Sequence, residues 1–446
     1  MRTWWANSRD LVRTRLWPVP TIAVTLALLL GLGLPELDAA VDEDLPAGVK
    51  AWLFGGDADA ARTLLDALSS SMITVTALTF SLTVVTLQLA SSQFSPRLLR
   101  TFAGDQFVQA TLALFLATFT YSLTVLRAVR SGGDGAGEVE LVPQIAVTVS
   151  FVLALASVVA LVLFLAHLTQ QIRPETMLRD VHDEALRTLR TTLPERDPAA
   201  GNGPPATPGP PPTASELASA EYGFLTWIDH DALLEVAADE ATLLSIDVSP
   251  GDFVVVGTPL GTAWPVTGGR HDDETTGRIA ARVADCLQLS FERTSSQDVG
   301  FGLRQLVDVA NKGLSPGIND PTTAVHALGH ISAFLCVLVE RDLAATVLRD
   351  EDGEARVVLR GPDLADFVDL GLSQPRRYGA EDPQVLAQIL QVLLDLARRV
   401  APDQRSVVVD HLDRVRRTVA AQSFDPTERR ALEELGVEVE RTLGRH

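Results

Sequence analysis

Four long apolar segments lie in the first part of this chain and constrain its fold more than any other feature. None of them contains Asp, Glu, Lys or Arg, and they cover residues 18–34, 67–94, 107–126 and 143–168. A helix of about 20 apolar residues crosses the roughly 30 Å hydrocarbon core of a bilayer, where a central charge costs about 2.5–3.5 kcal/mol. The chain is therefore predicted to be an α-helical multi-pass membrane protein with four transmembrane helices.

The arginines around these segments predict their orientation, because cytoplasmic loops are enriched in basic residues. Arg2, Arg9, Arg13 and Arg15 precede the first segment, Arg97 and Arg100 follow the second, and Arg173 and Arg179 follow the fourth. We therefore expect both termini on the cytoplasmic side of the membrane, and the boundary of the second segment at Ser95, Pro96, Arg97 and Arg100. A basic start before an apolar run also fits a cleaved signal peptide, so cleavage near residues 37–40 stays open.

The second segment differs from the others in its many hydroxyl and amide side chains. At helical spacing, five of them lie near one face: Thr76, Thr79, Thr83, Thr86 and Gln93. In one interpretation, each hydroxyl bonds a carbonyl one turn back and the small side chains let neighbouring helices pack closely. In the other, the subunits of a homo-oligomer arrange this helix around an axis, and the polar stripe lines a path for ions or small solutes.

Beyond the fourth segment the pattern becomes that of a cytoplasmic α+β region, a small β module followed by a helical bundle. Residues 194–213 are dominated by Pro, Gly and Ala, which is typical of a linker without a core. Short apolar runs broken by Pro-Gly pairs then predict strands, and later apolar repeats at helical spacing predict helices. The predicted organisation is a transmembrane domain at 1–172, a helix and linker at 173–214, a β module at 215–268, a helical signature region at 269–345 and a helical domain at 346–446.

A group of charged and polar residues in the signature region is the predicted soluble site. Its members are Arg293, Arg304, Asp308, Asn319 and Asp320. Arg304 and Asp308 are four residues apart on one helix face and can pair. Asp320 before Pro321 is a strong helix start, and capping alone explains both residues. Alternatively, this helix start and the nearby arginines bind a protein partner or an anion such as phosphate or a lipid head group.

Composition and motifs argue against several classes of partner and of chemical site. A formal net charge of -20 with very few lysines argues against a nucleic-acid partner. Cys286 and Cys336 show no CxxC pairing, so neither a disulfide framework nor a zinc site is indicated. His326 and His330 share a helix face but have no third metal ligand near them in the sequence. Because no catalytic motif occurs, we expect no enzyme activity, no metal and no cofactor.

Two strings that lie far apart in the chain carry a resemblance to a known family. They are SMITVTALTFSLTVVTLQLASSQFSPRLLRTF in the second segment and FGLRQLVDVANKGLSPGINDPTTAVHAL in the signature region. The chain resembles, over nearly its whole length, the bacterial membrane proteins catalogued as domain of unknown function 2254. The resemblance implies a multi-pass inner-membrane protein with a cytoplasmic domain. It brings no established activity and no catalytic residues.

The expected function is a homo-oligomeric, channel-like conduit for ions or small solutes, with the cytoplasmic region gating or assembling it. The alternative is a non-conducting membrane scaffold or sensor whose cytoplasmic domain binds a ligand or a protein partner. The lipid bilayer is a partner in both cases. The two functions differ in where they place the polar stripe, because a conduit needs it on a wet axis and a scaffold needs it packed against other helices.

Overall fold

The computed structural model describes residues 17–41, 52–93, 105–130, 142–171, 174–196 and 209–444. Its internal contacts divide the chain into an N-terminal unit, Met1–Thr176, and a C-terminal unit, Met177–His446. The helices described in the N-terminal unit are α1 (Pro18–Val41), α2 (Ala58–Gln93), α3 (Gln106–Ala128) and α4 (Gln144–Gln171). The next helix, α5 (Pro174–Thr192), belongs to the C-terminal unit from Met177 onward.

Helix α3 is the centre of the N-terminal unit. Helices α1, α2 and α4 all pack against it, and it buries large side chains such as Phe115, Tyr121 and Val125. The other three helices keep many apolar side chains exposed, among them Leu29 on α1 and Leu155 on α4. An apolar exterior around a packed centre suits a helix bundle in lipid, because hydrocarbon chains solvate such side chains.

Two carboxylates tie the helices of this unit together at their ends. Asp105 caps α3 by accepting from the backbone N–H of Phe107 at 2.8 Å, and its second oxygen accepts from His167 Nε2 of α4 at 2.6 Å. Asp38, near the end of α1, accepts from the first N–H groups of α4, those of Ile145 at 2.8 Å and Ala146 at 3.3 Å. Each carboxylate therefore satisfies helix N–H groups that have no partner within their own helix.

Five described helices are long and apolar enough to cross a membrane. Four of them are α1 to α4, which contain the predicted segments 18–34 and 107–126 and all but one end residue of 67–94 and of 143–168. The fifth, Pro321–Leu338, lies in the C-terminal unit and was not among the predicted spans. Its long apolar run suits a buried core helix as well as a membrane span, because composition alone does not separate the two.

The C-terminal unit combines short strands with helices. Its first half contains β1 (Ser215–Ala218), β2 (Gly223–Ile228), α6 (His230–Asp239), β3 (Thr242–Ile246), β4 (Phe253–Val254), β5 (Pro259–Pro265), α7 (Asp273–Asp285) and β6 (Leu287–Ser290). Its second half contains α8 (Val299–Gly313), α9 (Pro321–Leu338), β7 (Thr346–Arg349), β8 (Ala355–Leu359), α10 (Leu364–Tyr378), α11 (Pro383–Ala397), a 3-10 turn (Pro402–Gln404), α12 (Arg405–Ala420) and α13 (Pro426–Gly444).

The strands form two sheets, one of five strands in the order β1-β5-β3-β8-β7 and one of three strands in the order β4-β2-β6. Strand β8 pairs in parallel with β3, with Leu244 opposite Val357 and Ile246 opposite Leu359. Strands β6, β7 and β8 therefore come from parts of the chain beyond the β module expected at 215–268. They join it because their apolar side chains complete the same core, which includes Leu244, Val357 and Leu287.

The helices of the second half pack around α9. Helices α8 and α11 both contact α9, and its side chains Leu328, Ile331 and Leu335 are fully buried. The hydroxyl of Ser332 donates to Asp395 of α11 at 2.9 Å. The predicted start of this helix is confirmed, since Asp320 is its N-cap and Pro321 its first residue.

Candidate functional site

The polar stripe on α2 lies inside the N-terminal unit. Thr76, Thr79, Thr83 and Thr86 are all buried within the single chain. The hydroxyl of Thr76 donates to the carbonyl of Met72 at 2.7 Å, that of Thr83 to Thr79 at 2.8 Å, and that of Thr86 to Leu82 at 2.9 Å. These bonds to carbonyls one turn back leave the hydroxyl protons occupied.

The outward surface of α2 carries large apolar side chains, with exposed polar residues such as Thr74, Ser81 and Gln88 among them. Leu78, Phe80 and Val85 are well exposed on it, and Ile73, Val84 and Leu89 belong to the same exposed set. The side chain of Gln93 lies outside the described residues, and so do Ser95, Pro96, Arg97 and Arg100. Within the described part of α2, the four threonines therefore face the protein, while apolar and polar side chains are both exposed on its outer surface.

Four hydroxyls in the described part of the N-terminal unit are buried and have no hydrogen-bond partner there: those of Ser69, Thr79, Ser122 and Ser150. Arg62 of α2 donates to the carbonyl of Val129 beside α3 at 3.1 Å. Arg62 lies near the start of α2 and Val129 directly follows α3, so this bond joins the start of one helix to the end of the other. A small polar guest between the helices would satisfy such groups.

In the C-terminal unit, Arg293 of the predicted site pairs with Asp298. Its Nε and Nη2 donate to Asp298 Oδ2 at 2.8 and 2.7 Å, and its guanidinium lies 6.0 Å from the ring centroid of Phe301. Burial raises the pKa of Asp298, although Arg293 opposes this shift. Gly251, at φ +102°, sits so close that an added Cβ would lie 2.6 Å from Asp298 Oδ2. The pair is thus a closely packed structural contact.

The other predicted site residues lie on α8 and at the start of α9. Arg304 and Asp308 are half-buried on α8. Asn319 is exposed and has a positive φ of 50°, a conformation that Asn tolerates better than most residues. Asp320 accepts from the backbone and the hydroxyl of Thr323 at 3.1 and 2.5 Å, and these bonds lower its pKa. Capping therefore occupies its carboxylate.

A site that the sequence analysis missed is the seat of α5, which we define as Ser295, Gly302 and His330. The hydroxyl of Ser295 donates to Glu184 at 2.5 Å, and its carbonyl accepts from Thr188 at 2.9 Å. Gly302 touches α5 so closely that an added Cβ would lie 2.3 Å from the Cβ of Ala185. Gly302 of the signature string therefore packs against α5. This glycine, in FGLRQ, is the sequence signal from which the contact could have been predicted.

Two histidines meet in this seat. The rings of His182 on α5 and His330 on α9 have centroids 4.9 Å apart, tilted by 57°. The Nδ1 atom of His182 is buried without a hydrogen-bond partner among the described residues. Burial lowers the pKa of His182, Arg190 lowers it further, and Asp183 acts in the opposite direction. Within the described ranges no three His, Cys, Asp or Glu side chains are grouped to bind a metal.

We expect the contact between α5 and its seat to weaken in acid. The pKa of His182 lies below its ordinary value of 6.5 in the folded protein, so the unfolded chain binds more protons. The stabilisation is complete above about pH 6.5 and is lost as the pH falls toward the lowered value. Proteolysis of α5 at Arg187, followed across this range, measures the effect. His182→Gln should flatten the profile and the exposed His326→Gln should not; equal profiles for all three proteins would contradict the assignment.

Apolar helices of spanning length, together with a sheet-containing C-terminal unit, define a helical membrane protein. The chain belongs to the family described as Predicted membrane protein (DUF2254), whose model matches residues 13–395. Uncharacterized proteins of Mycobacterium bovis and Mycobacterium tuberculosis are each 36% identical to it over 421 residues, which is 94% of this chain and 79% of theirs. No solved structure matches the chain. The family resemblance seen in the two strings is thereby confirmed.

Proposed function

We propose that this protein is a non-conducting membrane sensor or scaffold, in which the C-terminal unit receives a partner and α5 links it to the membrane spans. The observation that carries the proposal is the burial of Thr76, Thr79, Thr83 and Thr86 within one chain. A pore formed around an axis between subunits needs these hydroxyls on the outer surface of the subunit. The exposed surface of α2 carries instead large apolar side chains such as Leu78, Phe80 and Val85, and Thr74, Ser81 and Gln88 are exposed among them.

The proposed role of α5 is based on its place directly after α4 in the chain and on the residues that it contacts. It begins at Pro174, three residues after α4 ends at Gln171. Its apolar face, including Leu178, Val181 and Leu189, is buried, and Ser295 bonds it at two successive turns. A displacement of α5 has to break these bonds or move Ser295 with it. The seat of α5 can therefore report on the last membrane helix.

Thiol labelling tests the proposal. We expect a cysteine in Thr83→Cys to stay protected from small aqueous thiol reagents in liposomes, and the liposomes to show no ion flux above protein-free ones. Ser296→Cys, at an exposed position of the C-terminal unit, is the control that must react. Fast labelling of Thr83→Cys together with ion flux would overturn the proposal in favour of a conduit.

The second candidate function is a conduit for ions or small solutes, and one observation favours it. The buried hydroxyls of Ser69, Ser122 and Ser150 have no partner within the described residues, and they belong to three different helices. A polar path of this kind would run inside one chain and would need no ring of subunits. Flux that Ser122→Ala abolishes while labelling of Thr83→Cys stays slow would support this second function.

We also propose that four helices span the membrane, that both termini are cytoplasmic, and that the membrane is the bacterial inner membrane. The arginine distribution supports the orientation. We leave helix α9 out of the proposed spans because Leu328, Ile331 and Leu335 are buried and Ser332 bonds α11. Homo-oligomer formation and the lack of enzyme activity stay predictions.

A further inference from the structure

The three-stranded sheet β4-β2-β6 has one face in the core and one face covered with aromatic side chains. Leu225, Val254 and Leu287 belong to the buried core. Phe224, Trp227 and Phe253 lie on the other face, and the rings of Phe224 and Phe253 meet edge to face with centroids 4.9 Å apart. The register supports this assignment, because Phe224 is opposite both Phe253 and Ser290, and Trp227 is opposite Gln288.

Two more aromatic residues are exposed just outside these strands. Tyr222 precedes β2 and Phe291 follows β6. The exposed fractions are 42% for Trp227, 53% for Phe253, 68% for Tyr222 and 86% for Phe291. Single exposed apolar residues are common, but several large ones on one small sheet mark a surface that binds something. We call Phe224, Trp227 and Phe253 the aromatic face.

The edge of the aromatic face is acidic. Glu221 precedes Tyr222, Asp252 precedes Phe253, and Glu292 follows Phe291, and all three carboxylates are on exposed residues. The nearest cation in sequence, Arg293, is paired with Asp298. Of the other arginines in residues 215–290, Arg278 and Arg282 are paired with Glu240, and Arg270 is exposed between β5 and α7. The surface therefore presents apolar rings inside a negative border.

The negative charge around the aromatic face favours one of three possible kinds of binding partner. A two-fold contact between two copies of this face would bring acidic borders together, and an anionic lipid surface would be repelled in the same way. A protein segment with large apolar side chains flanked by Arg or Lys would bury the rings and neutralise the border. Arginine also stacks favourably on exposed aromatic rings. Charge complementarity thus favours the basic partner over the other two.

We propose that the aromatic face is the docking surface for a protein segment that combines large apolar side chains with flanking arginines or lysines. This inference rests on the proposed function, because a sensor or scaffold protein needs a surface that binds its partner. Trp227 and Phe253 are the anchors, as large aromatic side chains dominate the binding energy of most interfaces. Glu221 and Glu292 supply the electrostatic attraction to the basic side chains of the partner.

The test measures peptide binding to the full-length protein in nanodiscs by fluorescence anisotropy. The probe is a labelled amphipathic peptide that alternates Arg with Leu and Trp, and its matched partner carries Glu in place of every Arg. We expect the basic peptide to bind at least about tenfold more tightly than the acidic one. Trp227→Ser with Phe253→Ser should remove this preference. Glu221→Lys with Glu292→Lys should reverse it, whereas the equal charge change Glu433→Lys with Glu434→Lys on α13 should leave it unchanged.

Other outcomes would overturn the docking surface. Equal loss of binding in the α13 variant would show a general charge effect. Binding to anionic vesicles that Trp227→Ser removes would assign the face to lipid, and a concentration-dependent dimer lost in the same variant would assign it to a second copy. Failure of the peptide test while Thr83→Cys stays protected would remove the docking surface and leave the non-conducting role standing. Reactive Thr83→Cys would remove that role itself.

Discussion

Replacing Gly302 by alanine is expected to lower the free energy of unfolding by about 1–3 kcal/mol, the range seen for overpacked cores. The added Cβ would lie 2.3 Å from the Cβ and 2.9 Å from the Cα of Ala185. A backbone atom of α5 therefore has to move, and no side-chain rotation relieves the contact. Denaturant unfolding of the full-length protein in mixed micelles measures the loss, and proteolysis of α5 shows whether the helix has left its seat.

Gly329→Ala on α9 is the matched control. It too replaces a helical glycine, but nothing lies within 4 Å of its added Cβ. Alanine is favoured over glycine in a helix by about 1 kcal/mol, so this variant should be more stable than the wild type. The double variant Ala185→Gly with Gly302→Ala should recover part of the loss, because it restores space between the same two atoms. A Gly302→Ala protein as stable as Gly329→Ala would contradict the packing of α5 on α8.

The second large effect is expected at Asp38, whose removal should destabilise the N-terminal unit by about 1–3 kcal/mol. Its carboxylate accepts from the N–H groups of Ile145 and Ala146, at the start of α4. In Asp38→Ala these buried donors lose a charged partner, and lipid offers none in return. Asp38→Asn keeps an oxygen acceptor and should fall between wild type and alanine. Reversible unfolding in mixed micelles, followed by the loss of helix signal, gives the three values.

Glu36→Ala serves as the control for Asp38, because Glu36 is exposed on the same turn of α1. We expect it to change the free energy of unfolding by less than about 0.5 kcal/mol. Equal stability of the Asp38→Ala and Glu36→Ala proteins would show that the carboxylate contributes nothing to joining α1 and α4. The difference in stability between Asp38→Ala and Glu36→Ala also tests the membrane assignment. A carboxylate that caps another helix stabilises it most where water does not compete for the same N–H groups.

Local signals in the sequence were enough to place most helices of the N-terminal unit. The uncharged runs predicted α1 to α4, and the pair Asp320-Pro321 predicted the start of α9. The bonds of Thr76, Thr83 and Thr86 to carbonyls one turn back are local as well. Whether these threonines face a neighbouring helix or an aqueous axis is a question of long-range packing, and periodicity identifies a face without identifying what covers it.

The seat of α5 shows the same limit in the soluble part. The sequence predicted a helix within residues 173–214, but nothing local connected Ala185 with Gly302, which is more than one hundred residues away. The parallel pairing of β3 with β8 also joins distant segments. Short strands carry weak signals of their own, because their stability depends on the neighbours that pair with them.

The sequence by itself therefore determined the class of protein, its long apolar helices, its helix caps and its family. The tertiary structure alone decided that the threonine face of α2 is internal, that the signature segment holds α5, and that aromatic side chains remain on one face of a small sheet. The physical reason is that hydrophobic spacing and capping act over a few residues. The choice of which two faces meet depends on the shape and burial of residues far apart in the chain.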